Sequence, residues 1–74
     1  MRQHVTFEIT GDERMHCDAC AQRVVRSLGM LEGVIEVAAS PVTQQVDVDV
    51  DPAVASVEQV GRRLEALGYR ARRV

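Results

Sequence analysis

The chain has 74 residues, of which 46% are hydrophobic and 27% charged, with a formal net charge of −2. That is enough for one domain with a thin core, and the balance is that of a folded globular chain. The weakly acidic charge, one Tyr, one Phe and no Trp leave neither the basic surface nor the stacking platform that nucleic-acid binding needs.

Val5, Phe7 and Ile9 alternate with Thr6, Glu8 and Thr10, which predicts a half-buried first strand. Gly11-Asp12-Glu13 breaks the alternation and opens a polar loop. From Asp18 the period changes. Ala21, Val24, Val25, Leu28 and Leu31 recur at helical spacing, with Gln22, Arg23, Arg26 and Ser27 opposite, and Gly29 and Gly33 mark the end. Val34, Ile35 and Val37 predict a second strand to about Ala39, followed by a turn over Ser40-Pro41 and Thr43-Gln44-Gln45. Val46, Val48 and Val50 then alternate with Asp47, Asp49 and Asp51, and Pro52 stops that third strand. Val57, Val60, Leu64 and Leu67 predict a second helix. Ser56 is its expected N-cap, with Pro52-Ala53 an alternative start, and Gly68 its expected C-terminal cap. Residues 69–74 are the expected last strand.

The order β-α-β-β-α-β predicts a single α+β domain over residues 1–74. It is the ferredoxin-like arrangement, a four-stranded antiparallel sheet with two helices on one face. Glu8, Asp47, Asp49, Arg70 and Arg72 are expected on the open sheet face. No apolar run reaches the length of a membrane span, and the first residues lack the apolar region of a signal peptide, so the expected compartment is the cytoplasm.

Both cysteines lie in Met15-His16-Cys17-Asp18-Ala19-Cys20, where the loop meets the first helix. Two thiols at this spacing in a cytoplasmic chain point to metal or redox chemistry rather than a structural disulfide. Unpaired N–H groups and the positive end of the helix dipole favour thiolate, the form that binds soft ions such as Cu(I) and Zn(II). A structural zinc site asks for four ligands, whereas a two-coordinate ion is served by two sulfurs. An exposed two-sulfur site can also hand its ion on, ligand by ligand. The alternative from another class is a thiol–disulfide redox protein; such sites also place Cys-x-x-Cys at a helix start, but in a longer chain with aromatic or Pro neighbours. No nucleophile–base pair, phosphate loop or paired acids stand out, so the chain is not expected to be an enzyme.

The chain resembles the heavy-metal-associated domain family nearly end to end, a family of copper chaperones, mercury-binding proteins and metal-binding domains of P-type ATPases. Met15, Cys17 and Cys20 match its Met-x-Cys-x-x-Cys. Residues 28–34, Leu-Gly-Met-Leu-Glu-Gly-Val, resemble its helix-to-strand junction. Residues 46–52 resemble its third strand ending in Asp-Pro, and Leu67-Gly68-Tyr69-Arg70-Ala71 its closing segment. The resemblance implies that Cys17 and Cys20 bind the metal, that Met15 is a core residue propping the loop, and that Tyr69 packs near the site. It implies Cu(I) as the metal, with Zn(II), Cd(II) or Hg(II) as alternatives. The implied partner is a metal-transporting P-type ATPase or its metal-binding domain, met by a monomer or a metal-bridged dimer. Arg23 and Arg26 lie on the helix face through which family members dock. One departure is the Asp12-Glu13-Arg14 stretch between Gly11 and Met15, where the family places Gly directly before Met. His16 and Asp18 are carried as accessory ligand candidates, and Asp12 and Glu13 as further oxygen donors; the plain reading of each is a solvated loop or helix-start side chain.

Overall fold

The computed structural model describes residues 2–74. The element order is β1 (Gln3–Ile9), α1 (Asp18–Gly29), β2 (Val34–Ser40), β3 (Gln45–Val50), α2 (Val57–Ala66) and β4 (Ala71–Arg73). The four strands form one antiparallel sheet in the order β2-β3-β1-β4. This is the ferredoxin-like fold. Because β3 is inserted between the two strands of the first β-α-β unit, both helices pack on one face.

The alternations decide which face is buried. Val5, Phe7 and Ile9 of β1 and Val46, Val48 and Val50 of β3 point to the helices and are buried. Ala21, Val24 and Leu28 of α1 and Val60 and Leu64 of α2 close the core from above. On the open face, Thr6 donates to Asp47 at 2.6 Å and Arg72 donates to its register partner Glu8 at 2.9 Å. His4 sits 2.7 Å from Asp49 and 3.4 Å from Asp47.

Four expectations are sharpened. Arg70 precedes β4 as bounded, yet its carbonyl accepts the Thr10 N–H at 2.8 Å, continuing the β1–β4 pairing, and its side chain lies against Gly11. The last strand is only Ala71–Arg73, because Tyr69 is drawn into the core by the end of α2. Ile35 is exposed, since a register shift between Val34 and Glu36 turns it out of the β2–β3 pairing. Helix α2 starts at the Ser56 cap, where the hydroxyl accepts from the Gln59 N–H and the Gln59 side chain accepts from the Ser56 N–H. Residues 52–54 form instead a turn anchored on Asp51, whose side chain accepts from Ala53 at 3.0 Å.

Gly33, between α1 and β2, has φ +91 and a side-chain carbon there would come within 2.8 Å of Ala55. Only glycine combines that left-handed backbone with that approach.

Candidate metal centre

Residues 10–17 carry the chain from the end of β1 to the start of α1 without helix or strand. Cys17 is the last extended residue, φ −157 and ψ 175, and serves as N-cap of α1. Its carbonyl accepts the Ala21 N–H at 3.2 Å. Cys20 is the third helical residue, so it lies over the same helix end as Cys17. The result is two sulfurs 3.8 Å apart, Cys17 donating to Cys20, with both thiols free. Cys17 is exposed; Cys20 is half-buried and packs against the core.

The helix start favours the thiolate of Cys17. No side-chain cap hydrogen bond is formed at this residue. Even so, the backbone N–H of Cys20, then the Cys20 thiol and the N–H of Ala19, hold its pKa below the ordinary 9.0, against partial desolvation and the Asp18 carboxylate. A lowered thiol pKa at a helix N-terminus increases the fraction present as a metal-binding, nucleophilic sulfur.

Two buried side chains belong to this end of the fold. Met15 is 2% exposed and belongs to the core. Tyr69 is 7% exposed. Burial raises its phenol above the ordinary 10.0, with the charges of Cys20, Glu13 and Cys17 adding and Arg23 opposing. The ring therefore lies within electrostatic reach of the cysteine loop.

Glutamine 44 has no counterpart among the candidates read from the sequence. It stands in the β2–β3 turn with φ 58, a left-handed conformation that costs a non-glycine residue about 1–2 kcal/mol. Its side-chain oxygen accepts the Met15 N–H at 3.0 Å, and its side-chain nitrogen donates to the Met15 carbonyl at 2.8 Å and the Pro41 carbonyl at 2.7 Å. A polar residue in a turn carries no signal of such a distant partner, so periodicity had no means of finding it.

His16 and Asp18 are exposed, as are Asp12 and Glu13. Asp12 and Glu13 line an open groove with Thr10, Gly11, Gly68 and Arg70. Among the described residues, no three His, Cys, Asp or Glu side chains gather in a metal-binding arrangement. The donor set brought together is the pair of soft sulfurs.

A heavy-metal-associated domain model matches residues 13–70, which include both cysteines, Met15, Gln44 and Tyr69. The chain belongs to the heavy-metal-associated domain family. A copper-exporting P-type ATPase of Bacillus subtilis (strain 168) is 34% identical over 64 residues, covering 86% of this chain and 8% of that protein. The chain thus spans a small part of the curated relatives it matches. Among solved structures, oxidized MerP from Ralstonia metallidurans CH34 is 30% identical with a TM-score of 0.85, covering 99% of this chain and 97% of that one. The N-terminal domain of a potential copper-translocating P-type ATPase from Bacillus subtilis, in the Cu(I)-loaded state, is 32% identical with a TM-score of 0.84, covering 97% of this chain and 86% of that one. This heavy-metal-associated domain is a binding module for soft heavy-metal ions, related both to copper-ATPase domains and to MerP. No helix among its described residues is long and apolar enough to cross a membrane.

Proposed function

We propose that residues 1–74 act as one heavy-metal-associated domain that binds a single Cu(I) ion through Cys17 and Cys20 and passes it on by thiolate exchange. The observation that carries this reading is the pair of free sulfurs 3.8 Å apart on the exposed start of α1. Metal–sulfur bonds of about 2.3 Å span sulfurs about 3.8 Å apart when bent tetrahedrally and about 4.6 Å apart when linear. Sub-ångström side-chain adjustment therefore serves either geometry, soft thiolates suit Cu(I) as they suit Zn(II), and a donor set of only two favours the ion content with two ligands. The exposed Cys17 leaves room for an incoming thiol to attack the ion before either original bond is lost. The receiver is a metal-transporting P-type ATPase or its metal-binding domain, in the cytoplasm, a reading supported by the 34% identical copper-exporting relative. The chain acts as a monomer, or as a dimer bridged by the ion, and performs no catalysis of its own. Arg23 and Arg26, both exposed on α1, suit an acidic partner surface.

A second reading, Hg(II) handling, is favoured by the 30% identity to MerP. Competition titrations of the reduced protein with Cu(I), Zn(II) and Hg(II) against chelators separate the metals. The expected order places Cu(I) far above Zn(II), because the two sulfurs leave zinc's preferred four-coordinate shell incomplete. Turnover of insulin disulfides by the metal-free protein, with no tight metal binding, would replace both readings with thiol–disulfide chemistry.

A further inference from the structure

We propose that Gln44 is a positioning residue for the Cys17–Cys20 pair, holding the metal loop from across the β2–β3 turn. The inference rests on the reading of the two cysteines as the metal ligands. Between Gly11 and His16, the backbone hydrogen bonds that tie the loop to the rest of the fold, among the described residues, are the two that Met15 makes with the Gln44 side chain. They engage the N–H and the carbonyl of one residue, as a neighbouring strand would, so a single amide side chain substitutes for a sheet ladder that the loop does not have.

The backbone of Gln44 is itself fixed. Its N–H donates to Ser40 at 2.9 Å, and its carbonyl accepts from Ile9, the last residue of β1, at 2.9 Å. The side-chain nitrogen also reaches Pro41 at 2.7 Å, which fixes the amide's orientation: oxygen toward the one N–H, nitrogen toward the two carbonyls. Glycine would occupy the left-handed backbone at φ 58 without strain, yet would supply no amide. The strained residue is thus the one that reaches the loop, two positions before Cys17. Met15 is held by its buried side chain below and by this amide at its backbone, and the sulfur of Cys17 inherits that placement.

The test uses Gln44→Gly, which relieves the backbone strain and removes the amide, and Gln44→Asn, which tolerates the backbone but is one methylene too short. Amide hydrogen exchange at Met15 is read in the reduced, metal-free protein, with the Leu64 amide as a core control. Cu(I) affinity is read by chelator competition. In both variants Met15 is expected to exchange at least about tenfold faster with Leu64 unchanged, and Cu(I) to be held roughly tenfold less tightly, the size expected for losing an outer-shell hydrogen-bond partner. Unchanged Met15 exchange overturns the clamp. Equal acceleration at Leu64 overturns its local character. Faster Met15 exchange with undiminished Cu(I) affinity overturns the positioning role. Wild-type protein that binds no Cu(I) overturns the metal reading, and the positioning role with it, while the exchange measurement still decides whether the clamp exists.

Discussion

The N–H of Tyr69 donates to the carbonyl of Leu64 at 3.1 Å, and that of Gly68 to Glu65 at 2.9 Å. Together they form a Schellman closure of α2, with Gly68 in the left-handed position at φ +99. The closure satisfies helix-end carbonyls and turns the chain sharply, which delivers the Tyr69 ring into the core. Gly68→Ala meets no steric obstacle but must adopt the left-handed backbone, so a loss of about 1–2 kcal/mol is expected. Urea unfolding checks this. An unchanged midpoint would show that the closure contributes little.

Met15 is expected to act through packing and not as a ligand. Truncation to Ala at a site 2% exposed should cost about 2–5 kcal/mol. Met15→Leu conserves volume and should cost less than about 1.5 kcal/mol. The decisive measurement is the Cu(I) affinity of Met15→Leu. It should match the wild type, and a large loss with the fold intact would make the thioether a ligand.

Histidine 4 should introduce a pH dependence of stability. Its hydrogen bond to Asp49 is the largest influence and, with the charges of Asp49 and Asp47, outweighs desolvation, so its pKa is raised above the ordinary 6.5. The folded state therefore binds the proton more tightly than the unfolded state. The stabilisation is fully present below 6.5 and is lost as pH rises through the elevated folded value. His4→Gln should flatten this part of the stability profile, and added salt should weaken it, since the site is exposed. A wild-type profile that rises across the same window would contradict the assignment.

Cys17 should be an unusually ready nucleophile for a free cysteine. Its alkylation rate with iodoacetamide, measured in a Cys20→Ala background and against pH, should show a midpoint below 9.0, because the N–H groups of Cys20 and Ala19 remain. A midpoint at or above that value would remove the helix-start argument for thiolate.

Much of the fold was legible in the sequence because its signals are local. The faultless Val/Asp alternation of β3, the helical spacing of Ala21, Val24 and Leu28, and the Ser56 cap each act within a few residues. The cysteine pair was legible for the same reason, since spacing and helix geometry alone put both sulfurs at one end of α1. What escaped reading depends on partners distant in sequence. The Gln44–Met15 bonds join residues 29 apart and the His4–Asp49 contact joins residues 45 apart. The bulge that exposes Ile35 belongs to the pairing of two strands and to neither strand by itself.

The central claim is that Cys17 and Cys20 together hold one soft metal ion. It is tested most directly by titrating the reduced protein with Cu(I) against a Cu(I) chelator, alongside Cys17→Ser, Cys20→Ser and the double variant. One ion per chain in the wild type, with tight binding lost in each single variant, is the predicted result. Tight stoichiometric binding that survives in the double variant, or no tight binding by the wild type, would contradict it.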